Sequence, residues 1–482
     1  MSAGSFGITG SFAESRLMAR IRPASRIIEL FILVEFACQA ALLSPWVGVL
    51  RVFVRCAAFG TSLLLLFLYL PGRRIHPAVK PAAAVAVLLV LAAFNPETNT
   101  ALAATMQIAL YIAILAPLLW VSNLSLDQDE IRRVLVIMLA FQATSSVIGI
   151  LQVYFPGQFR GNISSVIAAE GKSYLQGLLY RNAYGVLVLR PSGLTDIPGG
   201  VGMAGQYTAL MGLYFFLTSR RSLMRTVAVA AALAGVVAVY LSSVKSAMIC
   251  LIISLATFAA LFFWRSVSDR GRRVAYWLAQ RVSPWEVLAV VGAIAVGGYY
   301  LAVQIGGAGV TGATQTLTQS APTELFYQER GRFLEYTLQV LLPQYPFGAG
   351  LGRWGMMRHY FGDPANLRSS GIWVEVQWTA WLVDGGVPLI LAYTLAILIA
   401  IRFAVRCAIT PNLGALGVLG ALVAAIDVGL LAGTFAYVPF ITSMGMDFWL
   451  LNAMLFAGVV YAQRIVNRQV APVNETVSTG YR

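Results

Sequence analysis

The residues with the clearest chemical potential sit in one stretch. It reads Gln328-Glu-Arg330-Gly-Arg332-Phe-Leu-Glu335-Tyr336 and continues to Pro346-Phe-Gly348-Ala-Gly350-Leu-Gly352-Arg353-Trp354. Guanidinium groups match phosphate oxygens bidentately, and glycines let backbone N–H groups converge on an anion. Arg332 and Arg353, with Gly348, Gly350 and Gly352 between them, therefore predict recognition of a phosphorylated group. The same glycines suit a tight re-entry turn packed on a bilayer. They do not follow a strand of a βαβ unit, so no dinucleotide fold is implied.

Two further cations stand in short, constrained stretches. Arg190 precedes Pro191 and Gly193, so its backbone is expected in a turn rather than a helix. Lys245 lies in the brief connection Ser242-Ser243-Val244-Lys245-Ser246, where it reads equally as a ligand contact or a snorkelling interfacial lysine. Residues 330–342 have helical spacing, with Phe333, Tyr336 or Thr337, and Val340 on one side, which predicts an amphipathic surface helix ended by Pro343. Arg51 and Arg55, four apart, could share an anion or pair with Glu35. Asp427 falls inside an apolar run, where it is either helix-packing glue or the lining of a cavity. Trp354 could stack on a sugar face.

The elements that must position these residues are set by composition. The chain has 482 residues, 59% hydrophobic and 11% charged, whereas soluble domains carry about 25% charged residues. A soluble multi-domain enzyme is excluded, and an all-α polytopic membrane protein is expected. The net charge of +14 speaks for basic loops, not for a nucleic-acid partner. Cys38, Cys56, Cys250 and Cys407 are too widely spaced for a CxxC motif.

Twelve spans are predicted near 27–44, 49–70, 79–95, 100–122, 133–155, 200–218, 225–242, 246–264, 285–304, 386–405, 413–434 and 445–463. Residues 1–26 and 464–482 then form cytoplasmic tails. Spans occupy 27–155, 200–304 and 386–463, and two large outer segments lie at 156–199 and 305–385. With both termini inside, most Lys and Arg fall on the cytoplasmic side. The exceptions include Arg160, Lys172, Arg181, Arg190, Arg330, Arg332, Arg353, Arg358 and Arg368, all in the two outer segments. Long translocated loops escape the charge rule, but cations kept on that side also fit a function that needs them there.

Residues 185–400 resemble the O-antigen ligase and O-antigen/exopolysaccharide polymerase superfamily of bacterial inner-membrane glycosyltransferases. Arg190, Gly193 and Pro198 match a motif of arginine, glycine and proline before a span. Ser243-Val244-Lys245-Ser246-Ala247 is similar to a Ser-Arg-Gly/Ser-Ala turn, with lysine in place of arginine and valine in place of serine. Arg332, Tyr336, Pro346, Gly348, Gly350 and Gly352 fill a pattern of arginine, aromatic and Pro-x-x-Gly-x-Gly-x-Gly, with the proline one residue closer to the glycines here. The ligases' His-Asn pair is replaced by Glu375-Val376, and the only outer histidine is His359.

The resemblance implies metal-independent transfer of glycan from an undecaprenyl-pyrophosphate donor to an acceptor-sugar hydroxyl, with no cofactor. It places the active site on the periplasmic side of the bacterial inner membrane. Arg190 and Arg332 are expected to clamp the pyrophosphate, helped by Lys245, Arg353 and the three glycines. Glu375, in the histidine's slot, is the expected base, with His359 second. Its partners would be the lipid-linked oligosaccharide donor and acceptor, membrane lipids, and a chain-length regulator or export partner. The missing His-Asn pair favours a polymerase over a ligase acting on lipid A-core. A transporter or flippase of lipid-linked oligosaccharides also suits twelve spans, although the outer segment 305–385 lies asymmetrically in the chain and the outer arginines fall at the surface rather than in the middle of spans. A membrane scaffold would leave the outer arginines without purpose.

Overall fold

A computed structural model describes residues 10–44, 47, 50–69, 75–155, 179–181, 187–197, 199–269, 284–307, 310–312, 314–315 and 322–477. Arg160, Lys172 and Pro198 lie outside the described residues. The chain is an all-α polytopic membrane protein, and nine helices among the described residues are long and apolar enough to cross a membrane.

In chain order the helices are α1 (Gly10–Ala41), α2 (Arg51–Leu68), α3 (Val79–Ala92), α4 (Ala101–Trp120) and α5 (Gln128–Tyr154). They continue with α6 (Val201–Thr218), α7 (Ser222–Leu241), α8 (Lys245–Asp269) and α9 (Pro284–Gly306). A composite helix, α10, begins with Pro322–Phe326 and ends with Leu342–Gln344, and a short α11 (Gly355–Phe361) follows. Last come α12 (Gln377–Ile409), α13 (Gly414–Gly433) and α14 (Ser443–Val477). A short antiparallel hairpin pairs β1 (Leu179–Arg181) with β2 (Leu187–Leu189).

Each of the twelve expected spans coincides with a helix, but three are not among the nine. α3 has only 14 residues. α6 has 18 and carries Gln206, Tyr207 and Tyr214, while α1 begins at Gly10, well inside the expected tail. Alternation of direction brings the C-terminal ends of α1, α5 and α7 and the N-terminal ends of α2, α4, α6, α8, α12 and α14 to one end of the bundle. The described parts of the two long connections, 187–197 and 322–376, lie at that end, called here the loop face.

Burial separates centre from rim. In the spanning windows of α13 and α14, 78% and 83% of residues are buried, whereas in those of α2 and α9 only 17% are, which places these two at the rim. In lipid, helix association rests on close packing and polar links rather than on the hydrophobic effect. α6 and α7 show the first: a Cβ on Gly205 would stand 2.4 Å from the Gly235 carbonyl oxygen, and one on Gly235 2.5 Å from that of Gly205. Asp427 shows the second. Asn452 on α14 donates to its carboxylate at 2.9 Å, so Asp427 ties α13 to α14.

Local sequence sets several boundaries. Asp127 caps α5 by accepting from the Glu130 amide, and the Glu130 side chain accepts from the Asp127 amide, a reciprocal capping box. Thr100 caps α4 through the Ala103 amide. At the end opposite the loop face, Arg265 is buried and its guanidinium donates to the carbonyls of Ala408, Thr410, Pro411 and Gly414. It thereby satisfies the open C-terminal end of α12.

Candidate functional site at the loop face

The alternating glycines form the keystone of the loop face. Segment 348–353 runs through turns and bends, with Gly348, Gly350 and Gly352 all at positive φ, between the entry to α4 and the first turns of α12. The Ala349 amide donates to the Val383 carbonyl at 2.8 Å, the Asn99 amide to Leu351 at 2.9 Å, and the Gly352 amide to the Gln107 side chain at 2.7 Å. Gly350 has φ +91, and a Cβ there would meet the Thr98 nitrogen at 2.6 Å and the Glu97 carbonyl carbon at 2.7 Å. A Cβ on Gly348 would meet the backbone of Gly385 and Gly386 at 3.0 to 3.2 Å. The amides of Gly348 and Gly352 are spent inside the protein, the former on Tyr345. The glycines thus bring three backbones together, and the expected anion cradle is replaced by a packing joint.

Asp384 locks this joint. It is fully buried in the first turns of α12 and accepts from Gln107 at 2.6 Å, Tyr111 at 2.7 Å and the Trp354 indole at 2.7 Å. Trp354 is therefore a buried donor rather than a sugar platform. Directly after Asp384, Gly386 (φ +69) breaks the helix, and the Val387 amide reaches back to the Pro346 carbonyl. Sequence reading missed Asp384 because the span was expected to open at residue 386. The signal was present in Asp384-Gly-Gly-Val-Pro388, a carboxylate beside a helix-breaking pair.

Arg353 belongs to the same joint. It is 2% exposed and donates to Glu97 at 2.5 Å, to the Ala349 carbonyl at 2.8 Å and to the Ser370 carbonyl at 3.1 Å. Its guanidinium holds the segment against α4, which corrects the expectation of an anion ligand.

α10 contains two π turns, Tyr327–Gly331 and Thr337–Leu341. Wide turns of this kind displace the helix surface locally. Thr337 and Leu341 are buried and the Thr337 hydroxyl meets that of Thr379 at 2.5 Å, while Tyr336 is half exposed. The buried side thus runs through Phe333 and Thr337, not Tyr336. The helix passes Pro343 and ends at Gln344. Arg332 is exposed, with its guanidinium over the Phe333 ring at 5.4 Å. Glu375 pairs with Arg330, joining α10 to the start of α12. The exposed Tyr327 hydroxyl donates to Glu335 at 2.6 Å, and this bond raises the phenol above its ordinary range. His359 is exposed on α11 with its ring edge-on to Tyr360 at 5.2 Å.

The Arg190 turn is pinned to α5. Gln152 accepts from the amides of Ser192 and Gly193 at 3.0 and 2.9 Å, and Ser145 accepts from Leu194 at 3.0 Å. The end of this turn touches the Lys245 connection, since a Cβ on Gly199 would lie 2.6 Å from the Val244 side chain. Lys245 itself opens α8. Arg55 pairs with Asp196 of the same turn and donates to the Met356 sulfur at 3.3 Å, which links α2 to α11. Arg51 donates instead to the Leu42 carbonyl. The expected pairing of Arg51 or Arg55 with Glu35 is absent, and Glu35 accepts from Gln39.

Arg190, Lys245 and Arg55 are thus gathered on adjoining elements. Among the described residues, Arg332 shares no hydrogen bond or ion pair with them. Beneath the Asp196 turn and α11 lies a cavity of about 340 Å³, lined by α1, α2, α4, α6 and α14. No family model matches the chain, and no curated protein matches it.

Proposed function

We propose that the chain is a polysaccharide polymerase that joins undecaprenyl-pyrophosphate-linked repeat units at the loop face, placed by this reading on the periplasmic side. The observation that carries it is the rigidly held Arg190 turn against the Lys245 connection. Both belong to the motifs shared with the O-antigen polymerase and ligase superfamily. A lipid pyrophosphate leaving group accumulates charge at the membrane surface, and preorganised cations on fixed backbone stabilise that charge without reorganisation. Gln152 and Ser145 provide such fixation for Arg190. Arg332, exposed on α10, is free of the structural ties that hold Arg353 and is the second cation in this scheme.

Glu375 is the proposed base, released from Arg330 when the donor's pyrophosphate draws that guanidinium away. His359 is the second candidate. The test is incubation of purified protein with synthetic lipid-linked repeat units, read as a ladder on a gel. Wild type should extend the chains, and Arg190→Ala and Arg332→Ala should each slow extension at least 100-fold with expression intact. Extension at the wild-type rate in Arg190→Ala would refute the assignment. Extension only when lipid A-core is supplied would establish a ligase instead. A transport reading is favoured by one observation, the deep cavity with buried carboxylates, because intramembrane carboxylates mark translocation pathways.

A further inference from the structure

The cavity under the Arg190 turn has a composition that the polymerase reading does not use. Its wall is mostly apolar and includes Leu42, Phe59, Leu63 and Met444. Glu35 of α1, Asp447 of α14 and Tyr207 of α6 also line it. These three are 0%, 3% and 2% exposed, and Glu35 Oε2, Asp447 Oδ1 and the Tyr207 hydroxyl make no hydrogen bond. Asp447 is close enough for its charge to act on Glu35.

At 1.5 Å per residue, Asp447 lies about 6 Å inside α14 from Ser443, and Glu35 about 9 Å inside α1 from Ala41. The carboxylates therefore sit below the loop face, where water gives way to hydrocarbon. Among the described residues lining the cavity, Arg55 is the one cation, and it pairs with Asp196 at the mouth.

Two carboxylates facing one apolar space are costly unless something supplies positive charge or hydrogen-bond donors. The volume decides which. A bare ion or a single water needs about 30 Å³, and the cavity offers about 340 Å³, the size class of small-molecule sites. Apolar walls above a pair of acceptors complement a molecule with a hydrocarbon body and a donor-rich head. We propose that this cavity is a binding site for an amphiphilic organic cation, whose protonated amine lies between Glu35 and Asp447 while its apolar body runs along Phe59, Leu63 and Met444. The ammonium's three N–H donors match the two carboxylates and the Tyr207 oxygen in number. The site is independent of the polymerase reading and stands or falls without it.

The experiment uses full-length protein in phosphatidylcholine nanodiscs at pH 7, with radiolabelled dodecylamine as probe and empty nanodiscs as the background. Saturable binding is expected, with dodecanol competing at least tenfold more weakly than unlabelled dodecylamine. Glu35→Gln and Asp447→Asn should each weaken dodecylamine binding tenfold or more. Gly60 lines the cavity with open space at its Cβ position. Gly60→Phe therefore adds bulk at the cavity wall while leaving both carboxyl groups in the chain, and it should abolish saturable binding even if the acid variants fold poorly. Equal competition by dodecanol would mean that the acids are simply protonated in a dry cavity and would overturn the proposal. Unchanged dodecylamine binding in Gly60→Phe would overturn it equally.

Discussion

Replacing Asp384 tests whether one carboxylate holds the loop face to the spans. In Asp384→Leu, the donors on Gln107, Tyr111 and Trp354 all lose their acceptor in a fully buried site. An orphaned buried donor costs about 1–3 kcal/mol, so three orphans amount to about 3–9 kcal/mol. Asp384→Asn should behave differently. Gln107 and Trp354 donate to the same oxygen, Oδ1, which the amide retains, and the new NH₂ can donate to the Tyr111 hydroxyl oxygen. Its cost should be about 1 kcal/mol. The assay is denaturant unfolding of detergent-purified protein, paired with limited trypsinolysis read at Arg358 and Arg368, which lie in the segment that Trp354 anchors. Leucine should speed cleavage at both arginines at least tenfold, and asparagine should leave it near wild type. Asp427→Leu, which breaks a single link between α13 and α14, is the control and should not expose those sites. Equal stabilities for the leucine and asparagine variants, or wild-type proteolysis in the leucine variant, would refute the keystone argument.

Gly350→Ala combines a strained positive φ with overpacking against the Glu97–Thr98 backbone, and should destabilise by about 2–5 kcal/mol in the same unfolding assay. A loss below about 1 kcal/mol would mean that the backbones are not in contact. His76, buried between Phe403 and Phe456 in the connection before α3, accepts from the Ala78 amide. Burial lowers its pKa to about 3. The unfolded chain binds a proton near pH 6.5 that the folded one refuses, so this stability is present above pH 6.5 and lost as pH falls toward 3. Between pH 6.5 and 5 the loss is about 2 kcal/mol. His76→Asn, which can keep the bond to Ala78, should flatten this part of the pH–stability curve, and an unchanged slope would contradict the assignment.

Legibility differed between the scaffold and the site for physical reasons. Long apolar runs announce helices because a lipid-exposed backbone must satisfy its own hydrogen bonds, so every expected span contains one. Their ends were harder to read. α12 opens at Gln377, nine residues before the expected start, because Asp384 and Gln377 are paid for by specific partners that no hydropathy window registers. Gly348, Gly350 and Gly352 were visible as special backbone, but a phosphate nest and a backbone-to-backbone joint require the same residue. Only the facing strand of chain, Glu97–Thr98, separates the two. Arg353 was misread for a similar reason: a guanidinium suits carbonyls as well as phosphates, and its partner Glu97 is 256 residues away. Glu35 was noticed only as a neighbour for Arg51 and Arg55, since its relation to Asp447 depends on how α1 and α14 meet.

The buried Arg265 carries a consequence for how the protein responds to its surroundings. Its guanidinium is buried and donates to four carbonyl oxygens at the turn between α12 and α13, among them the negative end of a helix. Salt weakens exposed ion pairs by filling the space around them with ions, but it screens a guanidinium buried against peptide groups inside the fold far less. The joint of α8, α12 and α13 should therefore be indifferent to ionic strength and to anionic lipid content. Basic residues at the margins of other spans depend on both. A lysine, a point charge without the planar fork, could not reach all four oxygens at once, which makes guanidinium geometry rather than positive charge the requirement at this corner of the bundle.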